Sequence, residues 1–136
     1  MTKTLILSFV FVSVIFLIID VIWLSITVKT LYRPSLGGLL NDKPVMWAAA
    51  LFYIIYTLSL AIIILKPAIT NDSIFQAFWT GIIFGIVTYG TYNLTNMATI
   101  KDWSSKIVFI DMLWGGFLTG FSSATGIYLS KNLFPN

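Results

Sequence analysis

The sequence predicts an all-α integral membrane protein, a single domain built as an antiparallel bundle of four transmembrane helices. Of its 136 residues, 58% are hydrophobic and only 10% are charged, whereas soluble domains carry about 25% charged residues. Four apolar runs reach the ~20 residues that a helix needs to cross the hydrocarbon core. The connections between them are short, so consecutive helices must run antiparallel, and no room remains for a soluble domain.

Each apolar run is predicted to be a helix because only a helix or a closed barrel satisfies its own backbone in lipid. The predicted helices cover about residues 4–28, 44–65, 74–97 and 107–129. The first run is longer than a signal-peptide core and lacks a small-x-small cleavage site, so we expect a retained helix. Pro44 suits the first turn of the second helix, and Pro67 is predicted to end it.

The residue types that are missing exclude several classes of chemistry. The chain has no Cys and no His, which excludes disulfides, thiol catalysis, the usual zinc sites, histidine-ligated haem and every His-dependent triad. The net charge of +3 is spread along the chain without a basic run, so nucleic acid is not an expected partner. No metal or cofactor is expected. Membrane lipids are the expected partners, and a homodimer is plausible because four helices bury little surface.

The distribution of Lys and Arg predicts the orientation. The first and third connections, residues 29–43 and 98–106, together carry more basic residues than the two termini and the second connection. Basic residues favour the cytoplasmic side, so these two connections are expected in the cytoplasm and both termini outside. Trp47, Trp79 and Trp103 fall near predicted helix ends, where they are expected to anchor the membrane interface.

Two acids inside the apolar runs are the most informative residues. Asp20 lies late in the first helix and Asp111 early in the fourth, so both are expected at similar depth, about 7–12 Å below the face of loops one and three. They occur in matching motifs, since residues 19–23 and 110–114 both read Ile-Asp-x-(Ile/Leu)-Trp. Intramembrane acids are costly and usually functional. Such a pair can share and relay a proton, bind a cation, or act as general acid and base.

Aromatic and amide side chains are predicted to surround these acids in the same half of the bundle. Small and polar residues of helix three recur on about a third of its circumference, so this face is expected to point inward. The glycines of helices three and four are interpreted as positions of close helix packing. The predicted ligand or proton site consists of the two acids and eight neighbours, Asp20, Asp111, Trp23, Trp114, Tyr53, Tyr56, Tyr89, Tyr92, Asn93 and Asn96.

The first connection carries an amphipathic stretch, residues 32–40, on the same membrane face as the acids. We interpret this stretch as an interfacial lid in which Arg33 lies within reach of either an acid or a lipid phosphate.

Three classes of function remain open. The first is a binder or transporter of a small or lipophilic molecule, or of protons, with Asp20 and Asp111 at its centre. The second is a lipid-modifying membrane enzyme that uses these acids as acid and base. The third is a structural protein in which the acids only hold the helices together by hydrogen bonds. The missing His, Cys and Glu weigh against the enzyme, and the first class is preferred.

A longer motif adds a resemblance. Residues 89–103 read Tyr-Gly-Thr-Tyr-Asn-Leu-Thr-Asn-Met-Ala-Thr-Ile-Lys-Asp-Trp, and residues 111–115 read Asp-Met-Leu-Trp-Gly. With Asp20-x-x-Trp23 and Tyr32, this pattern resembles a family of small four-helix bacterial membrane proteins known as domain of unknown function 2177. The resemblance covers nearly the whole chain and implies a multi-pass protein of the bacterial inner membrane, without an established activity. The family often has Asp where this chain has Asn93, so one acid is missing here.

Overall fold

The computed structural model describes residues 1–135 and folds them into four long helices. These are α1 (Thr2–Leu39), α2 (Met46–Thr70), α3 (Ile74–Thr99) and α4 (Ser105–Leu133), and each is long and apolar enough to cross a membrane. No strand occurs in this part of the chain. The predicted class, an all-helical membrane protein with four spanning helices, is therefore confirmed.

Helix α1 extends well beyond residue 28, where the sequence predicted its end. Its regular part, Thr2–Thr27, continues through a π-helical turn at Val28–Tyr32 into a short helix at Arg33–Leu36 and a 3₁₀ turn at Gly37–Leu39. The backbone leaves the short helix at Gly37, which has a φ of 55° that glycine adopts readily. Most of the predicted first loop is thus helical.

Helix α2 differs from the prediction at both of its prolines. Pro44 precedes the helix, because the first accepting carbonyl is that of Val45, whose backbone is extended. Pro67 does not end the helix, which continues to Thr70. A π-helical turn at Ala61–Leu65 comes just before Pro67. There the hydrogen bonds span five residues instead of four, and this changed register accommodates a ring that would disturb a regular α-helix.

Helices α3 and α4 are each capped at the N-terminus by the side chain of a serine. The Ser73 hydroxyl accepts the N–H of Gln76 at 3.1 Å, and the Ser104 hydroxyl accepts the N–H of Ile107 at 3.4 Å. Serine at this position satisfies an N–H that has no partner in the first turn. Both helices are slightly longer than predicted, at 26 and 29 residues.

Helix α4 lies at the centre of the bundle, between α3 and α1. It approaches α3 so closely that a Cβ built on Gly85 would lie 2.1 Å from the carbonyl oxygen of Gly115. It approaches α1 at Gly126, where a Cβ would lie 2.3 Å from Val12. Such contacts are possible only where one partner has no side chain, so the interpretation of the glycines as packing positions is confirmed.

The outer surface of the bundle is apolar. Large hydrophobic side chains such as Met46, Ile62 and Phe75 are each about 70% exposed. Water would disfavour such a surface, whereas lipid chains suit it. Inside, α1 and α4 run antiparallel, with the Ser130 hydroxyl donating to the carbonyl of Thr4 near one end. Asp20 and Asp111 therefore come to a similar level near the other end.

Candidate ligand-binding site

Asp20 on α1 is held by donors from two other helices. Its side chain is buried, with 7% of the residue exposed. The Tyr53 hydroxyl of α2 donates to its Oδ2 at 2.5 Å, and the indole Nε1 of Trp114 on α4 donates to its Oδ1 at 3.1 Å. A single carboxylate thus joins α1, α2 and α4 through two neutral donors.

Asp111 on α4 is held in the same way by α1 and α3. The Tyr32 hydroxyl donates to its Oδ1 at 2.5 Å, and the Asn93 Nδ2 donates to its Oδ2 at 2.6 Å. Asn93 is fully buried, and its amide also donates to the carbonyl of Tyr89 at 2.9 Å. The two acids together therefore bond to all four helices.

The two Asp-x-x-Trp motifs of the sequence contact each other, because the Trp of each motif is connected to the Asp of the other. Trp114 donates to Asp20, while Trp23 donates at 3.1 Å to the Tyr32 hydroxyl, which in turn donates to Asp111. The indoles of Trp23 and Trp114 stack on each other, with centroids 4.1 Å apart and an angle of 8° between the rings. In residues 1–135 no hydrogen bond joins the two carboxylates. They are linked through the stacked indoles and the Tyr32 hydroxyl.

Tyr32 is the site residue that the sequence analysis missed, because it fell in the predicted first loop. In a regular helix it would lie about 120° around the axis from Asp20, at about 100° per residue. The π-helical turn at Val28–Tyr32 contains about one extra residue, which turns the helix back by about 100°. Tyr32 therefore faces the acids. Its place in the motif that included Trp23 was the signal that could have found it.

Two of the remaining predicted site residues, Tyr56 and Tyr89, pack inside the bundle. Tyr56 is buried, and its hydroxyl is hydrogen-bonded to the hydroxyls of Thr88 and Thr119 at 3.2 and 2.7 Å. The Tyr89 ring lies directly against Gly115, where a Cβ would be 2.2 Å from the ring.

Tyr92 and Asn96 lie outside the hydrogen-bond network of the two acids. Tyr92 is 57% exposed and contacts Trp103 edge to face. Asn96 interacts with the Tyr92 hydroxyl. In the described residues neither side chain donates a hydrogen bond to Asp20 or Asp111.

A cavity of about 540 Å³ opens beside both acids at the end of the bundle where the first and third connections lie. Its polar and aromatic wall consists of Asp20, Trp23, Tyr32, Tyr89, Tyr92, Trp103, Asp111 and Trp114. Residues after the π-helical turn of α1 and the connection to α2 close its other side, namely Arg33, Leu36, Leu40, Asn41, Asp42 and Pro44. The cavity thus combines the buried carboxyl group of Asp20 and the half-buried one of Asp111 with a largely apolar and aromatic lining.

Arg33 lies in the wall of this cavity, as the lid hypothesis requires, but it contacts neither acid. Its guanidinium donates to the backbone carbonyl of Asn41 at 3.4 Å. Within residues 1–135 the only ion pair joins Lys131 to Asp72 at the opposite end of the bundle. The acids of the cavity therefore have neutral partners only.

The chain belongs to a family of membrane proteins. The family model described as "Predicted membrane protein (DUF2177)" matches residues 5–128, which is most of the chain. No curated protein and no solved structure matches it. The family supports a multi-pass membrane location, and it carries no activity that could be transferred to the cavity.

Proposed function

We propose that this member of the DUF2177 family binds a small molecule with an apolar body and a polar head, in the cavity between Asp20 and Asp111. The observation that carries the proposal is that both intramembrane acids line one cavity whose other walls are aromatic and aliphatic. A cavity of about 540 Å³ is within the range of small-molecule sites, about 300–1,000 Å³, and such sites typically pair an apolar lining with a few polar groups.

The cost of the acids supports a role beyond packing. Burying a carboxylate in the membrane costs several kcal/mol, and the helices already have close glycine contacts at Gly85 and Gly126 to hold them together. Four donors from α1, α2, α3 and α4 keep Asp20 and Asp111 in fixed orientations. Fixed polar groups beside a cavity are what a binding site requires.

The proposal includes the side of the membrane to which the cavity opens and the membrane in which the protein lies. The cavity opens on the face that carries Lys29, Arg33, Lys43, Lys101 and Lys106. The preference of basic residues for the cytoplasm favours a cavity open to that compartment, in the inner membrane of a bacterium. In this arrangement, the segment from Arg33 to Pro44 forms the lid, and a ligand enters from the cytoplasm or sideways from the inner leaflet.

Native mass spectrometry of protein extracted in mild detergent tests this function. The parent protein is compared with the double variant Asp20→Asn/Asp111→Asn and with Asp102→Asn as a matched control. Asp102 lies in the third connection with a φ of 60°, a conformation that Asn also tolerates, and it does not line the cavity. Circular dichroism verifies that each variant is folded.

The proposal predicts a defined small molecule on the parent and on the control that is absent from the folded double variant. Equal occupancy of all three proteins would overturn the assignment of the site. Loss of folding in the double variant alone would support a structural role for the acids. In that case Asp20→Asn and Asp111→Asn are compared singly, since each leaves one donor pair intact. Conversion of the bound molecule during incubation would favour the enzyme alternative instead.

A further inference from the structure

We infer that the ligand of this cavity is an organic cation, an apolar body carrying a protonated amine that binds beside Asp20 and Asp111. The inference rests on the proposed binding function and adds the chemical class of the ligand. It follows from the balance of charges and of hydrogen-bond donors and acceptors around the cavity.

In residues 1–135, neither of the two acids has a cationic partner. Their four donors are the phenols of Tyr32 and Tyr53, the indole of Trp114 and the amide of Asn93. All four are neutral. In the part of the chain that the structure describes, no Lys or Arg lies within 4.0 Å of either carboxylate. A buried carboxyl group without a cationic partner in the protein either is protonated or pairs with a cation from outside the protein.

Asn93 supplies a second and independent sign of a missing donor. The side chain is fully buried, and its Oδ1 has no hydrogen-bond partner in residues 1–135. Rotating the amide does not help, because Nδ2 already faces two acceptors, a carboxylate oxygen of Asp111 and the carbonyl of Tyr89. A buried acceptor without a donor is costly. Asn93 does not line the cavity, so a ligand there would not bond to its Oδ1. The residue adds the observation that acceptors outnumber donors next to Asp111.

The walls of the cavity suit a cation as well. Trp23, Trp114 and Tyr89 all line it, and the faces of such rings attract ammonium groups, Trp most strongly. Aromatic side chains are the usual surroundings of quaternary ammonium ligands. The aliphatic part of the lining, including Leu24 and Leu36, provides room for an apolar body.

The charges of the whole lining favour a cation over an anion. Asp20, Asp42 and Asp111 line the cavity against one cation, Arg33, whose guanidinium is bonded to the carbonyl of Asn41. Within the described residues, the buried Nε1 of Trp103 in the same lining has no hydrogen-bond partner. It is neutral and leaves the charge balance unchanged. A phosphate or carboxylate ligand would face three like charges with one compensating group.

Competition binding in lipid nanodiscs tests the class of ligand. The probe is radiolabelled 4-phenylbutylammonium, and the competitors are the unlabelled amine, 4-phenylbutanol and 4-phenylbutyrate, which share one apolar body. Binding is measured on the parent, on Asp20→Asn and Asp111→Asn singly, and on Asp102→Asn. Partition of the probe into the lipid is subtracted with empty nanodiscs.

We expect the amine to compete about tenfold or more better than the alcohol, and the carboxylate not to compete. We expect each acid variant to lose about tenfold or more in affinity for the amine, which is the effect of about 1.4 kcal/mol, and Asp102→Asn to be unchanged. Equal competition by alcohol and amine, lost in the acid variants, would overturn the cationic class while leaving the binding site in place. Preference for the carboxylate, or no binding of the amine, would overturn the inference. Occupancy seen by native mass spectrometry remains the separate test of the binding function.

Discussion

The close approach of α3 and α4 makes a sharp prediction for Gly85→Ala. The added Cβ would lie 2.1 Å from the carbonyl oxygen of Gly115 and 2.8 Å from the Cα of Gly116, where ordinary contact begins at 3.4 Å. Both neighbours are backbone atoms that cannot rotate away, so the helices must separate by about 1 Å or more. Overpacking of this kind costs about 1–3 kcal/mol, and rigid neighbours put the expected loss near 3 kcal/mol.

Gly90→Ala is the matched control on the same helix. There the added Cβ would meet the terminal methyl of Met112 at 2.9 Å, and a flexible side chain can move. The gain in helix propensity, about 0.5–1 kcal/mol, offsets this contact, so its stability should be close to that of the parent. The assay is the free energy of unfolding in mixed micelles, followed by far-UV circular dichroism. A Gly85→Ala protein as stable as the Gly90→Ala protein would refute the reasoning about the α3–α4 contact.

Three further predictions concern single groups. Tyr53→Phe removes one of the two donors to Asp20 and should destabilise the protein by about 0.6 kcal/mol, the average measured for hydrogen bonds between membrane helices, and by about 1.7 kcal/mol at most; an unchanged unfolding curve would contradict the bond. Trp23→Phe removes one ring of the stacked indole pair, so the exciton-coupled signal of the two indoles in the circular dichroism spectrum should disappear, and its persistence would argue against the stack. At the other end of the bundle, the ion pair with Lys131 lowers the pKa of the Asp72 carboxyl below its usual range. A lowered pKa stabilises the folded state above the usual carboxyl pKa, and this contribution is lost as the pH falls through the lowered value. Asp72→Asn should therefore unfold at a slightly lower temperature than the parent at pH 7, and this difference should shrink as the pH falls below the usual carboxyl pKa; a difference that does not shrink in acid would contradict the pairing.

Much of the fold could be predicted because the membrane imposes it. The length of the apolar runs requires four helices, and the short connections require antiparallel neighbours. From these two rules alone, Asp20 and Asp111 were expected at one depth. The glycines of α3 and α4 were expected at contacts for the same reason, since lipid provides no hydrophobic drive and small residues permit close packing.

The details that could not be predicted come from two π-helical turns. Composition and spacing gave no sign of the extra residue at Val28–Tyr32, which turns Tyr32 towards Asp111. The turn at Ala61–Leu65 likewise allows the helix to pass Pro67. In both places the sequence rule assumed a regular α-helix.

The sequence also could not show which of the predicted tyrosines are buried and which are exposed. Tyr89 and Tyr92 are only about 60° apart on one helix, yet the first packs inside against Gly115 and the second is 57% exposed. Tyrosine suits both a core and a membrane interface, so its residue type does not distinguish these positions. The contact of Tyr92 with Trp103 belongs to the rim of the cavity.

The chain contains no Cys, so single cysteines can report on the cavity without background. The most direct test of the central claim is the rate at which Val28→Cys, in the cavity wall, reacts with a water-soluble cationic methanethiosulfonate reagent and with its anionic counterpart. Ile55→Cys, on the exposed apolar face of α2, is the control. We predict that Val28→Cys reacts faster than Ile55→Cys, and faster with the cationic reagent than with the anionic one, with that preference lost in the Asp20→Asn/Asp111→Asn background. Equal rates at the two positions would contradict a cavity that opens to water beside the acids.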